Sequence, residues 1–352
     1  MIGGNVRSEG AWDMGASSLC LRALTMVVVG LLVPVTVPVR AASGPDTAVV
    51  PDPKATPCDR QCLEAIVDGY FDALVAHDPA KLRLAPDARY TENGVGMPFG
   101  DALWKTANGR GKYRLYVADP LTGEIGFFGT VLENDAPALL SLRLRVDHLR
   151  RISEAETLVA RPTAGSTLGN AGQAMETRGT PRPQLTRTVP PAQRLSREAL
   201  TSVADSYFTN LQGSVGKTAA PFRESCNRIE NGTQTTNLPT RRPGREGFDV
   251  LMLGCEAQQR SGFYTFVTSI RNRRFPIVDQ ERGLVMAFGY FEHTGAVKDL
   301  HLTNGDTVAS PVKAPLTLQI VELFQIDGGR IDQVEAVLTT VPFGMRSDYW
   351  DR

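Results

Sequence analysis

Glu92-Asn93-Gly94 and Glu230-Asn231-Gly232 repeat one string in two places. Asn and Gly both tolerate positive φ, so each string is first of all a turn at a strand end. A turn accounts for Asn93, Asn231 and the glycines, but not for the acids. A carboxyl in apolar surroundings has a raised pKa and can work as a general acid or base. Glu92 and Glu230 are therefore candidate proton-transfer groups. In the second string Arg228 alternates with Glu230, which puts both on one strand face. The pair is either a structural ion pair or a site where Arg228 and Asn231 hold a developing oxyanion. Gln234, Thr235 and Thr236 add hydrogen-bonding groups just beyond.

Glu156 and Glu335 are a second pair of candidates, each on the last strand of its repeat. An acid among apolar positions either faces a pocket or lies on a solvated sheet edge. Trp104 is core or pocket wall, with a ring able to stack on a planar substrate. Tyr70 and Tyr207 lie on apolar helix faces, as satisfied core residues or as phenols donating to a substrate oxygen. His293 is the histidine best placed for acid–base work at a pocket rim. Arg271, Arg273 and Arg274 form a short basic cluster, either a solvated face or a site for a carboxylate or phosphate.

The excluded chemistries are clear. The chain has no P-loop, no dinucleotide-binding glycine fingerprint, no HExxH and no Gly-x-Ser-x-Gly. Its four histidines and its cysteine spacing make no metal-ligand pattern. No cofactor is expected. Lys+Arg and Asp+Glu both number 38, and no basic arm is present, which argues against nucleic acid as a partner. The expected partner is a small molecule.

Two copies of one unit must position these residues. Leu63, Ile66, Val67, Tyr70, Phe71 and Leu74 make one apolar helix face, and Leu200, Val203, Ala204, Tyr207, Phe208 and Leu211 repeat it at an offset of 137. The first helix stops near His77-Asp78-Pro79, and the second starts at Ser196, a good N-cap. Asp119 with Gly123 matches Asp279 with Gly283, each ahead of a strand. Pro137–Val146 matches Pro315–Ile326 as alternating, β-rich sequence. Arg151-Ile152 with Glu156 matches Arg330-Ile331 with Glu335. Each copy reads as a helix, a strand, an irregular segment and an antiparallel meander. Residues 163–194, rich in Gly, Thr and Pro, read as a flexible linker.

The amino terminus reads as an address. Residues 1–42 carry a basic flank, an apolar stretch and small residues at a cleavage point, the pattern of a secretory signal peptide. Cleavage would leave no stable membrane span in an exported, periplasmic or secreted protein. Cysteine usage agrees with an oxidising compartment. Cys58, Cys62, Cys226 and Cys255 allow three pairings. Of these, Cys58–Cys62 with Cys226–Cys255 keeps each bridge inside one repeat.

The order of elements, with Gly100-Asp101-Ala102-Leu103-Trp104, Cys226-Asn227-Arg228-Ile229-Glu230-Asn231-Gly232 and Val341-Pro342-Phe343-Gly344-Met345, resembles the nuclear transport factor 2-like (SnoaL-like) superfamily, in an exported branch with tandem copies. The resemblance covers about 57–162 and 195–345. It implies an α+β protein of two tandem cone-shaped domains, each a curved antiparallel sheet wrapped on helices around an apolar pocket. It also implies an internal pseudo-dimer or a homo-oligomer. The expected activity is that of a metal-free lyase, dehydratase or isomerase on a small apolar or aromatic oxygenated compound. A non-catalytic ligand-binding or scaffold module is the alternative, and a metal-free hydrolase stands third.

Overall fold

The structure, a computed structural model, describes residues 58–161, 170–212, 219–242 and 247–349. The expected signal peptide lies outside them. In the first repeat helix α1 (Arg60–Val75) precedes strands β1 (Leu84–Glu92) and β2 (Val95–Met97). The short helix α2 (Leu103–Thr106) then leads into β3 (Ala107–Asp119), β4 (Glu124–Glu133), β5 (Ala136–Val146) and β6 (Ile152–Ala160). Helices α3 (Ala171–Arg178) and α4 (Pro183–Thr186) connect the repeats.

The second repeat runs through α5 (Arg197–Gln212), β7 (Phe222–Glu230), β8 (Thr233–Gln234) and α6 (Cys255–Arg260). Strands β9 (Ser269–Asp279), β10 (Leu284–His293), β11 (Asp299–His301), β12 (Thr307–Ala309), β13 (Leu316–Asp327) and β14 (Arg330–Val341) complete it.

The helices begin where capping chemistry allows. The Asp59 carboxylate accepts from the Cys62 N–H at 2.9 Å, and the Ser196 hydroxyl accepts from Ala199 N–H at 3.1 Å. Their apolar stripes are buried, from Leu63 to Leu74 and from Leu200 to Leu211. Each packs on the inner face of its own sheet.

Both sheets have six strands, ordered β2-β1-β6-β5-β4-β3 and β8-β7-β14-β13-β10-β9. They are mixed rather than purely antiparallel. β1 lies parallel to β6, and β7 parallel to β14. The whole meander separates each such pair in sequence, long enough for the crossover that parallel strands need. The architecture is α+β in two tandem domains.

The outer faces of the two sheets pack against each other through Tyr113, Leu115, Phe128, Ile277, Met286 and Val321. At Gly126 the sheets come so close that an added Cβ would sit 2.2 Å from the Met286 sulfur. Two equivalent ion pairs cross between the domains. Arg60 at the start of α1 reaches Asp279 at 2.7 Å, and Arg197 at the start of α5 reaches Asp119 at 2.5 Å. The segment expected to be a flexible coil is structured where it is described: Ala171, Met175 and Leu185 are buried in the inter-domain core. Its sparse apolar residues show no periodicity because they cover sheet faces singly, rather than along a helix stripe.

Candidate functional site

The two Asn-Gly turns have the same geometry. Asn93 and Gly94 have φ of 49° and 82°, and Asn231 and Gly232 have 45° and 75°, the left-handed pair that closes a two-residue hairpin. Each asparagine side chain also clamps the last strand. Asn93 accepts from Val159 N–H at 2.8 Å, and Asn231 accepts from Leu338 N–H at 2.9 Å and donates to Leu338 C=O at 2.9 Å. Both amides are thus occupied by backbone.

The turns leave Glu92 and Glu230 at matched positions, with different surroundings. Glu92 accepts from Tyr90 Oη at 3.1 Å and Leu103 N–H at 2.9 Å, and pairs with Arg161 at 2.8 Å. Around it Trp104, Phe127 and Leu142 are each at most 1% exposed. Trp104 stands edge-on to Tyr70 with centroids 5.2 Å apart. Trp104 and Tyr70 are core here, and burial raises the Tyr70 phenol pKa.

The second domain keeps a cavity of about 140 Å³. Leu211, Phe266, Phe291, Leu318, Ile320 and Leu338 supply much of its apolar wall, and Arg228, Glu230, Tyr264, His293 and Glu322 its polar groups. Strand register explains the acids. Glu230 lies beside Ala336, Ala336 opposite Glu322, and Glu322 opposite Ala287. The row thus reads Glu-Ala-Glu-Ala across four strands. The corresponding row of the first domain is Glu92, Thr157, Leu142 and Phe127. Two carboxyls therefore flank one small residue in the second sheet, where the first sheet places bulk.

Arg228, two positions before Glu230, is 3% exposed. Its Nη2 donates to the Glu230 carboxylate, and its Nη1 donates to Gln258 Oε1 and to Tyr264 Oη, each at 2.8 Å. The guanidinium lies over the rings of Tyr207 and Tyr264, 5.6 and 5.4 Å from their centroids. Burial opposes its charge, but Glu230 and the two phenols outweigh that and raise its pKa well above the usual range. Gln258 is held in turn, with Nε2 donating to the carbonyls of Thr235 and Val250. The disulfide Cys226–Cys255 ties α6, which carries Gln258, to β7, which carries Arg228. The other bridge is Cys58–Cys62.

Glu322 is the residue that pattern reading missed. It is 1% exposed, and its Oε2 has no hydrogen-bond partner among the described residues. Burial pushes its pKa up to about 8; Arg228 pulls it down and Glu230 adds to the rise. The side chain is therefore a neutral carboxylic acid at neutral pH, able to donate a proton. Its signal in the sequence is the single acid on the inward-facing series Leu318, Ile320, Glu322, Phe324.

The other candidates lie elsewhere. Glu335 accepts from Tyr113 of the first domain at 2.6 Å, and Glu156 pairs with Arg274 of the second domain at 2.6 Å and with Arg143 at 3.1 Å. Both face the inter-domain layer, not a cup. Gln234 accepts from Arg182 at 2.9 Å, outside the cavity. Of the basic cluster, Arg271 binds Glu292 and Arg273 binds Asp205. Among the described residues no three His, Cys, Asp or Glu side chains gather as a metal-holding group. None of the described helices is long and apolar enough to cross a membrane.

Comparison with known proteins places these residues in a wider set. Residues 57–155 and 193–338 match the family model described as Domain of unknown function (DUF8021), so both repeats are covered. No curated protein matches. Among solved structures, a protein of unknown function with a cystatin-like fold from Methylobium petroleophilum PM1 is 21% identical, with 39% of this chain and 97% of that one covered and a TM-score of 0.25.

Proposed function

The chain belongs to this family of domains of unknown function, and on that premise we propose that it is a nuclear transport factor 2-like (SnoaL-like) acid–base enzyme working in its second domain. The reaction class is that of a cofactor-independent lyase, dehydratase or isomerase. The substrate is a small apolar or aromatic oxygenated compound. Glu230 takes a proton from the substrate, Glu322 gives one, and Arg228 with Tyr264 stabilises the negative charge that develops on a substrate oxygen. The first domain, whose matching row carries Thr157, Leu142 and Phe127, is the structural partner. Two disulfides fit export to an oxidising compartment.

One observation carries this reading: Glu230 and Glu322 share a row on either side of Ala336. Glu230 is ion-paired, while Glu322 is buried with a free oxygen. Two like groups with unlike surroundings are the arrangement that divides acid and base roles. The test is incubation of the mature protein in D2O with a panel of small ketones, hydroxyketones and oxygenated aromatics, followed by NMR for exchange or product. Turnover of at least one compound, lowered at least ~100-fold by Glu322→Gln, is expected. No turnover, together with wild-type-like ligand binding by Glu230→Gln, would overturn the reading.

A second reading is a non-catalytic binding module. It is favoured by the closed network around Arg228, where Glu230, Gln258 and Tyr264 already satisfy the guanidinium ends. The same panel separates the two, since a binding module shifts NMR signals without exchange.

A further inference from the structure

One polar group in the cavity has no part in the proposed proton transfer. His293 ends β10 and is 1% exposed. Its Nδ1 lies 3.2 Å from the Phe266 carbonyl oxygen. A carbonyl only accepts, so Nδ1 carries the hydrogen and Nε2 is a bare lone pair. Burial lowers the imidazole pKa, offset in part by that hydrogen bond, so the ring is neutral. Nε2 is buried without a partner among the described residues, and the ring borders the cavity. A buried acceptor left unmet costs about 1–3 kcal/mol. A donor in the cavity, whether a ligand hydroxyl or a water that the ligand replaces, relieves it.

The rest of the cavity limits that ligand. At about 140 Å³ it is close to the ~150 Å³ apolar cavity known to admit benzene. Arg228 is matched by Glu230, and Glu322 is neutral. Neither a carboxylate nor an ammonium group finds an unmatched charge. Glu322 lies opposite Ala287, and His293 lies further along the same strand. The imidazole and the acid row therefore meet the cavity at different ends, with Phe291 and Ile320 among the wall residues.

We propose that His293 Nε2 is a hydroxyl-recognition subsite, and that the second-domain cavity takes a neutral molecule of single-ring size whose O–H points at this nitrogen. The proposal rests on reading the cavity as the ligand site, and names what it selects. His293 is a specificity residue, not a proton-transfer group.

The test uses phenol and toluene, similar in shape, titrated into the full mature chain and followed by NMR shift changes. Transfer from water to an apolar cavity favours toluene on its own. The subsite instead predicts phenol binding ~10-fold tighter, the worth of about one good hydrogen bond. His293→Leu should remove that preference and leave toluene binding equal or tighter. His293→Gln, which keeps an acceptor, should retain part of it and guards against misfolding of the leucine variant. Toluene preferred by the wild type, an undiminished phenol preference in folded His293→Leu, or no binding of either probe would each overturn the subsite. Deuterium exchange dependent on Glu322 alongside toluene preference would sink this proposal alone and leave the acid–base reading in place.

Discussion

Leu142 and Glu322 hold the same place in the two sheets. Leu142 lies opposite Phe127 and Thr157, and Glu322 lies opposite Ala287 and Ala336. One copy carries a leucine between phenylalanine and threonine, and the other a carboxyl between two alanines. A buried carboxyl at a core position departs from what packing alone would choose.

Replacing Glu322 by the matching residue of the first copy should therefore stabilise the protein. Glu322→Leu removes a buried carboxyl and leaves Arg228 paired with Glu230. The expected gain at neutral pH is about 1–3 kcal/mol, the cost of an unmet buried polar group, read as a higher denaturation midpoint, with turnover lost. A destabilised Glu322→Leu would mean that the carboxyl holds the fold.

The inter-domain ion pairs should matter more than surface pairs. Asp119 and Asp279 are at most 2% exposed, and removing Arg197 or Arg60 leaves one of them charged and buried. Arg197→Leu should cost about 3–5 kcal/mol, as for other broken buried pairs. Chemical denaturation followed by tryptophan fluorescence measures it, and a loss below 1 kcal/mol would contradict a buried pair.

The two disulfides should differ in worth. Cys226–Cys255 spans 29 residues and Cys58–Cys62 only 4. Loop entropy gives about 3–4 kcal/mol for the first and about 2 for the second. Thermal melts of Cys255→Ser and Cys62→Ser should rank accordingly. Cys255→Ser should also weaken ligand binding, because α6 carries the glutamine that orients Arg228.

Much of this was legible in residue order. The matched helix faces, the Glu-Asn-Gly strings and the paired Asp-Gly turns point to a duplicated α+β unit. The faces of Glu156 and Glu335 were not legible. Alternation separates two strand faces, but both are buried here, one against a helix and one against the other domain. Glu322 was hidden because segments of unequal length shift the offset between the copies from strand to strand. Only strand register sets it against Leu142. The parallel pairing of first and last strands likewise leaves no mark in a local pattern.

A neutral Glu322 makes stability depend on pH. Its folded pKa, pushed up to about 8, stands above the ~4.3 of an unfolded chain. The native state therefore binds the extra proton between those values. The stability this group contributes is complete below the lower value, and is lost as pH rises through the higher one. Glu322→Gln should flatten wild-type stability against pH in that window by up to ~1.4 kcal/mol per pH unit. His293, whose pKa is lowered by burial, acts in the opposite direction below its usual value, and is common to both proteins.

The most direct measurement is an NMR titration of the mature protein with 13C-labelled glutamate side chains, the Glu322 carboxyl signal being assigned by its absence in Glu322→Gln. A midpoint near 8 is predicted. A midpoint at the ordinary glutamate value would mean a solvated or fully paired carboxylate, and would contradict the account.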